Sequence, residues 1–185
     1  MTPNLIINGD AENGLLGWEA EDGYPMPVVV EYGATDPSGD FPTLAQAGRP
    51  APGRHLFAGG PGVQTASFHQ YVDLAELLGR TAEGVEFHLE AYAGGFATHE
   101  DHVWVSYEWL ASVPGDDGQP VALFEAGLLP KVTAADRGAQ TGLLRTWVDG
   151  TVPTWATSLL VGVQFFRTEG DYNDGYLDGL SLTVG

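Results

Sequence analysis

The stretch DYNDGYLDGLSLTV, residues 171–184, closes the chain and combines a turn, a group of carboxylates and an alternating strand. Most of its first five residues are types that accept tight or left-handed backbone geometry. From Tyr176 onwards, period-two alternation predicts one strand face that holds Tyr176, Asp178, Leu180, Leu182 and Val184. An ionised carboxylate on such a face is costly to bury without a partner, so Asp178 predicts a structural metal site.

Length and composition fit one domain, residues 1–185, that can bury a sizeable core. The chain has 26 glycines and 12 prolines among 43% hydrophobic residues, which favours many turns and few long helices. We find no internal repeat and no domain boundary. The composition therefore predicts an all-β chain.

The net charge indicates which classes of molecule are poor partners for the chain. Seven basic residues against 25 acidic ones give a formal net charge of −18, which argues against nucleic acid and against an anionic membrane. The same charge is also explained by solubility or adaptation to salt. Without cysteine there are no disulfides and no thiolate metal sites. The N-terminus, MTPNLIINGD, has neither the basic region nor the apolar run of a signal peptide or membrane anchor, and extracellular and cytosolic locations both remain open.

Short alternating segments separated by turn signals indicate about nine or ten strands in a β-sandwich or barrel. We expect a short first strand at Leu5 to Ile7 and one helical turn from Glu76 to Gly84. The segment 33–53, rich in glycine and proline, reads as a surface excursion whose Phe41 and Leu44 pack against the body.

The two ends carry a family resemblance. NLIINGDAENGLLGWE, residues 4–19, resembles the opening of galactose-binding-like jelly rolls, which include many bacterial carbohydrate-binding modules. NDGYLDGLSLTV, residues 173–184, is similar to the last strand of those domains. The chain departs from the family pattern at Ala11, where phenylalanine is usual, and at Gly179, where asparagine is usual.

The resemblance implies an antiparallel, two-sheet β-sandwich with jelly-roll topology, in which the first and last strands are neighbours. It also implies a structural calcium ion near those ends, with Glu12 and Asp178 matching the family's acidic ligands and Asp10 as a further contributor. Calcium takes six to eight oxygen ligands, so carboxylates combined with backbone carbonyls suit it. DYNDG, residues 171–175, lacks the spacing of an EF-hand loop.

Modules of this kind stack aromatic rings on sugars and hold the hydroxyls with polar groups. The expected solvent-side side chains of the central strands are His88, Glu90, Tyr92, Trp104, Ser106, Glu108, Gln164 and Phe166. From these, Tyr92 and Trp104 are the preferred ligand contacts, with His88, Glu90 and Gln164 beside them. The alternative is that the 33–53 excursion covers Trp104 and Phe166 and makes them part of the core.

Two further groups could support chemistry. His99-Glu100-Asp101-His102 is the densest metal-capable tetrad, but it lacks the spacing of H-E-x-x-H and is interpreted as a solvated loop. Glu86, Glu90 and Glu108, expected on adjacent strands, could supply the two carboxylates of a glycosidase.

The sequence thus favours a non-catalytic, calcium-stabilised carbohydrate-binding module of an exported bacterial protein, secreted or at the cell surface, with a glycan as its partner. The alternative is a structural or protein-interaction module on the same scaffold. A glycoside-active enzyme is the third hypothesis.

Overall fold

The computed structural model describes residues 3–36, 39–74, 84–115 and 119–185. Its twelve strands are β1 (Glu19–Ala20), β2 (Val28–Glu31), β3 (Thr35–Asp36), β4 (Gly39–Asp40), β5 (His55–Pro61), β6 (Thr65–Asp73), β7 (Glu86–Gly95), β8 (His102–Pro114), β9 (Pro120–Leu128), β10 (Gly142–Thr151), β11 (Ser158–Phe166) and β12 (Tyr172–Val184). A single turn of 3-10 helix spans Leu44–Gln46. The described residues contain no helix long and apolar enough to cross a membrane.

Ten of these strands form two antiparallel sheets of five. The front sheet has the order β10-β7-β12-β5-β2, and the back sheet has the order β1-β6-β11-β8-β9. Between β5 and β8 the chain crosses from one sheet to the other at every step, as it does again from β9 to β12, which is the alternation of a jelly roll. The predicted all-β sandwich and its strand number are confirmed.

The main core lies between the two sheets. It is made of the apolar side chains that alternate inward along the long strands, among them Leu89, Trp109, Phe165 and Leu177, each 1% exposed or less. At about 25 cal/mol per Å² of buried apolar surface, side chains of this size each contribute about 2 kcal/mol to folding. This layer fixes which side chains of β7, β10 and β12 must point outward from the front sheet.

A second apolar cluster covers part of the outer face of the front sheet. Phe41 from the 33–53 excursion packs edge-on against Tyr172 and Tyr176, with ring centroids 5.6 and 6.2 Å away. The predicted packing of Phe41 is therefore confirmed. The same prediction for Leu44 is wrong, because Leu44 lies on the 3-10 turn with 56% of its surface exposed.

Strand β12 contains two register shifts, one against β5 between Asn173 and Tyr176 and one against β7, and the second alters its predicted faces. The pairing with β7 shifts register between Asp178 and Ser181, where Gly179 has a φ of 59°. Because a bulge inserts a residue, the side chains beyond it change sides. Tyr176 joins the outer cluster, whereas Leu180, Leu182 and Val184 enter the core between the sheets. The prediction that Tyr176 and Asp178 share a face with these three residues is wrong for this reason.

The predicted strand at Leu5 to Ile7 is also wrong. The segment makes one backbone bond to β12 through the Leu5 amide, which donates to the Leu182 carbonyl at 2.8 Å. The amide and carbonyl of Ile7 instead bind the side-chain amide of Gln70 at 2.8 and 3.1 Å. The side chain of Gln70 thus takes the place of the neighbouring strand whose backbone would bind Ile7 in a sheet. The predicted helical turn at 76–84 lies, except for Gly84, outside the described residues.

Candidate functional site

Asp178 has partners within the protein. Its carboxylate is fully buried and accepts a hydrogen bond of 2.8 Å from Arg49 Nη1 and one of 2.7 Å from the Tyr32 hydroxyl. Burial raises the pKa of Asp178 from 3.8 to about 6, and the Tyr32 and Arg49 contacts offset only part of that cost. The same burial, together with the Asp178 charge, raises the pKa of the Tyr32 hydroxyl.

The other two predicted calcium ligands lie nearby. Glu12 Oε1 accepts hydrogen bonds from the backbone amides of Arg54 and His55 at 2.7 and 2.8 Å. Burial opposes ionisation of Glu12, but these amide bonds outweigh it, so the pKa of Glu12 is lowered. Asp10 Oδ1 accepts a long bond of 3.4 Å from the Glu12 amide.

The oxygens of Glu12, Asp10 and Asp178 are not close enough together to bind one ion as they stand. Within the described part of the chain, these three residues do not form a group whose ligand atoms all lie within 4.8 Å of one another. A calcium ion at Glu12, Asp10 and Asp178 stays a prediction. Such an ion would share Asp178 with Arg49.

A cleft of about 520 Å³ opens on the front sheet beside Arg49 and Asp10. Its lining is mostly polar and comes from the N-terminal turn, the excursion and strands β7 and β12: Asn4, Ile6, Asn8, Gly9, Asp10, Asn13, Arg49, Pro50, Glu90, Tyr92, Gly179, Leu180 and Ser181. The arrangement follows from register, because Ser181 pairs with Glu90 and Asp178 with Tyr92. Sequence-predicted Glu90 and Tyr92 therefore share one cleft.

Beside this cleft, β7 and β10 carry a row of charged and aromatic side chains on the same face. Arg145 Nε donates to Glu90 Oε2 at 2.6 Å, and His88 Nδ1 lies 2.6 Å from Asp149 Oδ1. The guanidinium of Arg145 also lies over the Trp147 ring, 4.9 Å from its centroid. Trp147 is 47% exposed, so the row offers an aromatic ring flanked by hydrogen-bonding groups.

Protonation in this row follows its contacts. Although burial opposes ionisation of Glu90, the hydrogen bonds from Arg145 and His88 lower its pKa. The bond to Asp149 is the main reason that the pKa of His88 is raised. Glu90 is therefore a carboxylate at neutral pH, able to accept hydrogen bonds from a ligand.

Arg145 and Trp147 are not among the ligand residues predicted from the sequence. The sequence does contain a pattern that could have indicated them, because Arg145, Trp147 and Asp149 occupy alternate positions of β10 and so share one face. What was missing was the pairing of β10 with β7, which sets Arg145 opposite Tyr92 and Trp147 opposite Glu90.

The predicted ligand residues are divided between two faces. His88, Glu90 and Tyr92 lie on the front sheet, whereas Trp104 on β8 and Gln164 on β11 pair with each other on the back sheet. Trp104 is 43% exposed and packs against Phe166, with ring centroids 4.7 Å apart. The excursion that was considered as a cover packs on the front sheet instead. One ligand cannot contact Tyr92 and Trp104 together.

The carboxylate pair considered for catalysis is separated for the same reason. Glu90 is on β7 of the front sheet and Glu108 is on β8 of the back sheet, where it pairs with Leu160. The expectation that Glu86, Glu90 and Glu108 lie on adjacent strands is therefore wrong, because β7 and β8 belong to different sheets.

The His99 to His102 tetrad is not a simple solvated loop, so that interpretation is wrong as well. Asp101 is 1% exposed and accepts hydrogen bonds from the backbone amides of Thr168, Glu169 and Asp174, at 2.6, 3.1 and 2.9 Å. One nitrogen of His99 and one oxygen each of Asp101 and Asp174 lie within 4.8 Å of one another. The structure thus contains a possible carboxylate and histidine metal-binding group at a place other than the predicted one.

Comparison with protein-family models and with curated proteins finds no match. Comparison with solved structures does. A family 16 carbohydrate-binding module is 20% identical with a TM-score of 0.55, over 97% of this chain and 99% of that one. TmCBM61, solved in complex with β-1,4-galactotriose, is 16% identical with a TM-score of 0.52, over all of both chains.

The enzymatically active domain of bacteriophage CBA120 tailspike protein 4 is 14% identical with a TM-score of 0.56. The match covers 98% of this chain but only 21% of the tailspike chain, so the chain spans about a fifth of that protein. The chain therefore has a β-sandwich fold similar to the folds of these two carbohydrate-binding modules.

Proposed function

We propose that this chain is a non-catalytic carbohydrate-binding module of an exported bacterial protein, and that its front sheet binds the glycan. The observation that carries the proposal is the continuous face formed by the cleft at Tyr92 and Glu90 and the half-exposed Trp147 beside it. The likeness of fold and the resemblance of the two chain ends support it. The structural calcium ion predicted at Glu12, Asp10 and Asp178 belongs to the same proposal.

Trp147 supplies the stacking surface. An aromatic ring beside solvent can pack against the apolar face of a sugar and remove apolar surface of both from water. Arg145 lies over this ring and is hydrogen-bonded to Glu90, so the ring and the carboxylate are held in a fixed relation before any ligand arrives. A preformed site loses less conformational entropy on binding.

The polar groups of the cleft supply the hydrogen bonds to hydroxyls. Glu90 and Asp10 accept, Arg49 donates, and the side-chain amide of Asn13 can do either. The side-chain amides of Asn4 and Asn8 bind backbone groups of the protein and so hold the cleft wall in place. A neutral glycan also suits a chain with a net charge of −18 better than a polyanion does.

The test is retention on insoluble polysaccharides and a glycan array, followed by calorimetry on any glycan that binds. We expect Trp147→Ala and Glu90→Gln to weaken binding at least about tenfold, which corresponds to about 1.4 kcal/mol. Trp104→Ala is the matched control, since it removes a similarly exposed indole from the other sheet. Loss of binding in Trp104→Ala with none in Trp147→Ala would move the site to the back sheet, where Gln164 also lies.

A second candidate function is assembly, favoured by one observation on the back sheet. Strand β9 is at the edge of that sheet and carries three large apolar side chains that are exposed, Val121, Phe124 and Leu128, by 46, 72 and 57%. An apolar sheet edge is a common place for strand pairing between chains. Light scattering against concentration tests it: an oligomer that Phe124→Ser disperses, without retention on any glycan, would favour assembly.

A further inference from the structure

We propose that His99, Asp101 and Asp174 bind one zinc ion, at a site separate from the predicted calcium position and from the glycan face. The three ligand atoms come from two distant parts of the chain, the loop between β7 and β8 and the start of β12, and lie within 4.8 Å of one another.

The first observation is an imidazole nitrogen without a hydrogen bond. His99 Nδ1 is buried from water and has no hydrogen-bond partner, and its nearest anionic atom is Asp174 Oδ2 at 3.6 Å. A buried polar atom normally makes a hydrogen bond, because leaving it unsatisfied costs about 1–3 kcal/mol. At 3.6 Å the two groups are too far apart to bond directly. In a tetrahedral zinc site, ligands about 2.0–2.1 Å from the metal are separated from one another by about 3.4 Å. The observed gap fits an ion held between them.

The second observation is the state of the two carboxylates. Asp101 is 1% exposed and Asp174 is 9% exposed, so two negative charges lie together away from bulk water. The hydrogen-bond donors to the Asp101 carboxylate are neutral groups: the backbone amides of Thr168, Glu169 and Asp174 and the Thr168 hydroxyl. Burial of like charges is unfavourable unless cations neutralise them. The buried guanidinium of Arg137 interacts electrostatically with Asp101, and a divalent ion would add its charge to that of Arg137.

Hydrogen bonds hold the ligands in place. Asp174 Oδ1 accepts a bond of 2.6 Å from the Tyr176 hydroxyl, which leaves Oδ2 directed at His99. The buried guanidinium of Arg137 donates to the carbonyls of Gly95, Ala97, His99 and Gln140, so it fixes the loop that carries His99. Such contacts around metal ligands commonly set their orientation.

The chemistry of the donors selects the metal. One imidazole nitrogen and two carboxylate oxygens are a ligand set that suits zinc and its neighbours in the transition series. Calcium and magnesium prefer oxygen donors alone. Three protein ligands would leave the fourth zinc position to water.

The test uses the whole chain after stripping with EDTA, titrated with zinc chloride in a calorimeter. We expect one tight site per chain and a higher melting temperature with zinc. Changing a group that only orients a metal ligand costs about 10–100-fold in affinity, so losing a ligand in His99→Gln or Asp174→Asn should cost at least as much. His102→Gln is the matched control, because His102 is three residues away and its Nδ1 lies 2.8 Å from the Glu100 carbonyl oxygen. It should bind zinc as the wild type does.

Two results would overturn the proposal: no zinc site in the wild-type chain, or zinc binding that His99→Gln and His102→Gln weaken equally, as scattered surface sites would give. If a variant does not fold, the wild-type chain can be titrated with zinc and followed by NMR of the imidazole nitrogens. The His99 ring signals should shift at lower zinc concentration than those of the other four histidines. Failure of glycan binding would leave this outcome unchanged, because the ligands do not line the front-sheet cleft.

Discussion

Arg49 Nη1 lies 2.8 Å from the Oδ1 atom of Asp178, whose side chain has no exposed surface. The Arg49 side chain is 19% exposed, and its guanidinium carbon also lies over the Tyr92 ring, 5.9 Å from the ring centroid. Arg49 therefore supplies a positive charge to a buried carboxylate and forms part of the cleft wall. This one ion pair joins the excursion to strand β12 and connects stability with the proposed glycan site.

Removing Arg49 should be costly. Arg49→Met leaves Asp178 buried without its cation, and breaking a buried ion pair in this way destabilises by about 3–5 kcal/mol. Arg54→Met is the matched control, because its pair with Glu31 has side chains exposed by 75 and 55% and should contribute about 0–1 kcal/mol. Urea unfolding measures both.

Adding Asp178→Asn to Arg49→Met should recover part of the loss, since the unpaired charge is then removed. Equal effects of Arg49→Met and Arg54→Met would show that the buried pair has no special role.

The pH dependence of stability should reveal the same carboxylate. The pKa of Asp178 is raised from 3.8 to about 6 by burial, so the folded state holds its proton in a range where the unfolded state has released it. Stability therefore falls as pH rises through this window, by about 3 kcal/mol for two pKa units. We expect the unfolding free energy of the wild type, relative to Asp178→Asn, to fall between pH 4 and 7 in EDTA. A difference that rises with pH would mean that Arg49 and Tyr32 outweigh burial.

Calcium should compete with Arg49 for Asp178. A ligand that binds only the folded state stabilises it by about 2.7 kcal/mol at a hundredfold excess over its Kd. Removal of the guanidinium in Arg49→Met frees Asp178 Oδ1, so calcium should raise the melting temperature of this variant more than that of the wild type.

A stripped wild-type chain with no response to calcium would contradict the predicted site at Glu12, Asp10 and Asp178. A response that Glu12→Gln abolishes would support it.

Asp178 and Arg49 also show which features of the fold and the site can be predicted from the sequence. The alternation of apolar and polar residues predicted the long strands, because alternation is a local property of the sequence. The similarity of the two chain ends to known jelly rolls predicted the sandwich, because those motifs stand at the start and the end of the chain. The sequence indicated correctly that buried Asp178 needs a partner. It could not identify Arg49, which is 129 positions away in an irregular excursion.

The site residues depend on which strands pair. Glu90 and Glu108 follow similar patterns, yet β7 and β8 belong to different sheets, and only that assignment tells which outward faces coincide. The same limit concealed the group formed by His99, Asp101 and Asp174, whose members become neighbours through the crossing of the chain between sheets. Sequence spacing alone does not encode such contacts.

The bulge in β12 gives the last prediction. Gly179 has a φ of 59°, and a Cβ atom there would lie 2.5 Å from Arg49 Nη1. Gly179→Ala should therefore combine backbone strain of about 1–2 kcal/mol with displacement of the guanidinium from Asp178. Gly14→Ala is the matched control, because Gly14 has a φ of 66° but no atom within 4 Å of the added carbon. Urea unfolding should show a larger loss for Gly179→Ala than for Gly14→Ala, and the excess should shrink when Arg49→Met is present in both. Equal losses in the two alanine variants would mean that the bulge exerts its effect through backbone strain alone, with no contribution from the buried ion pair.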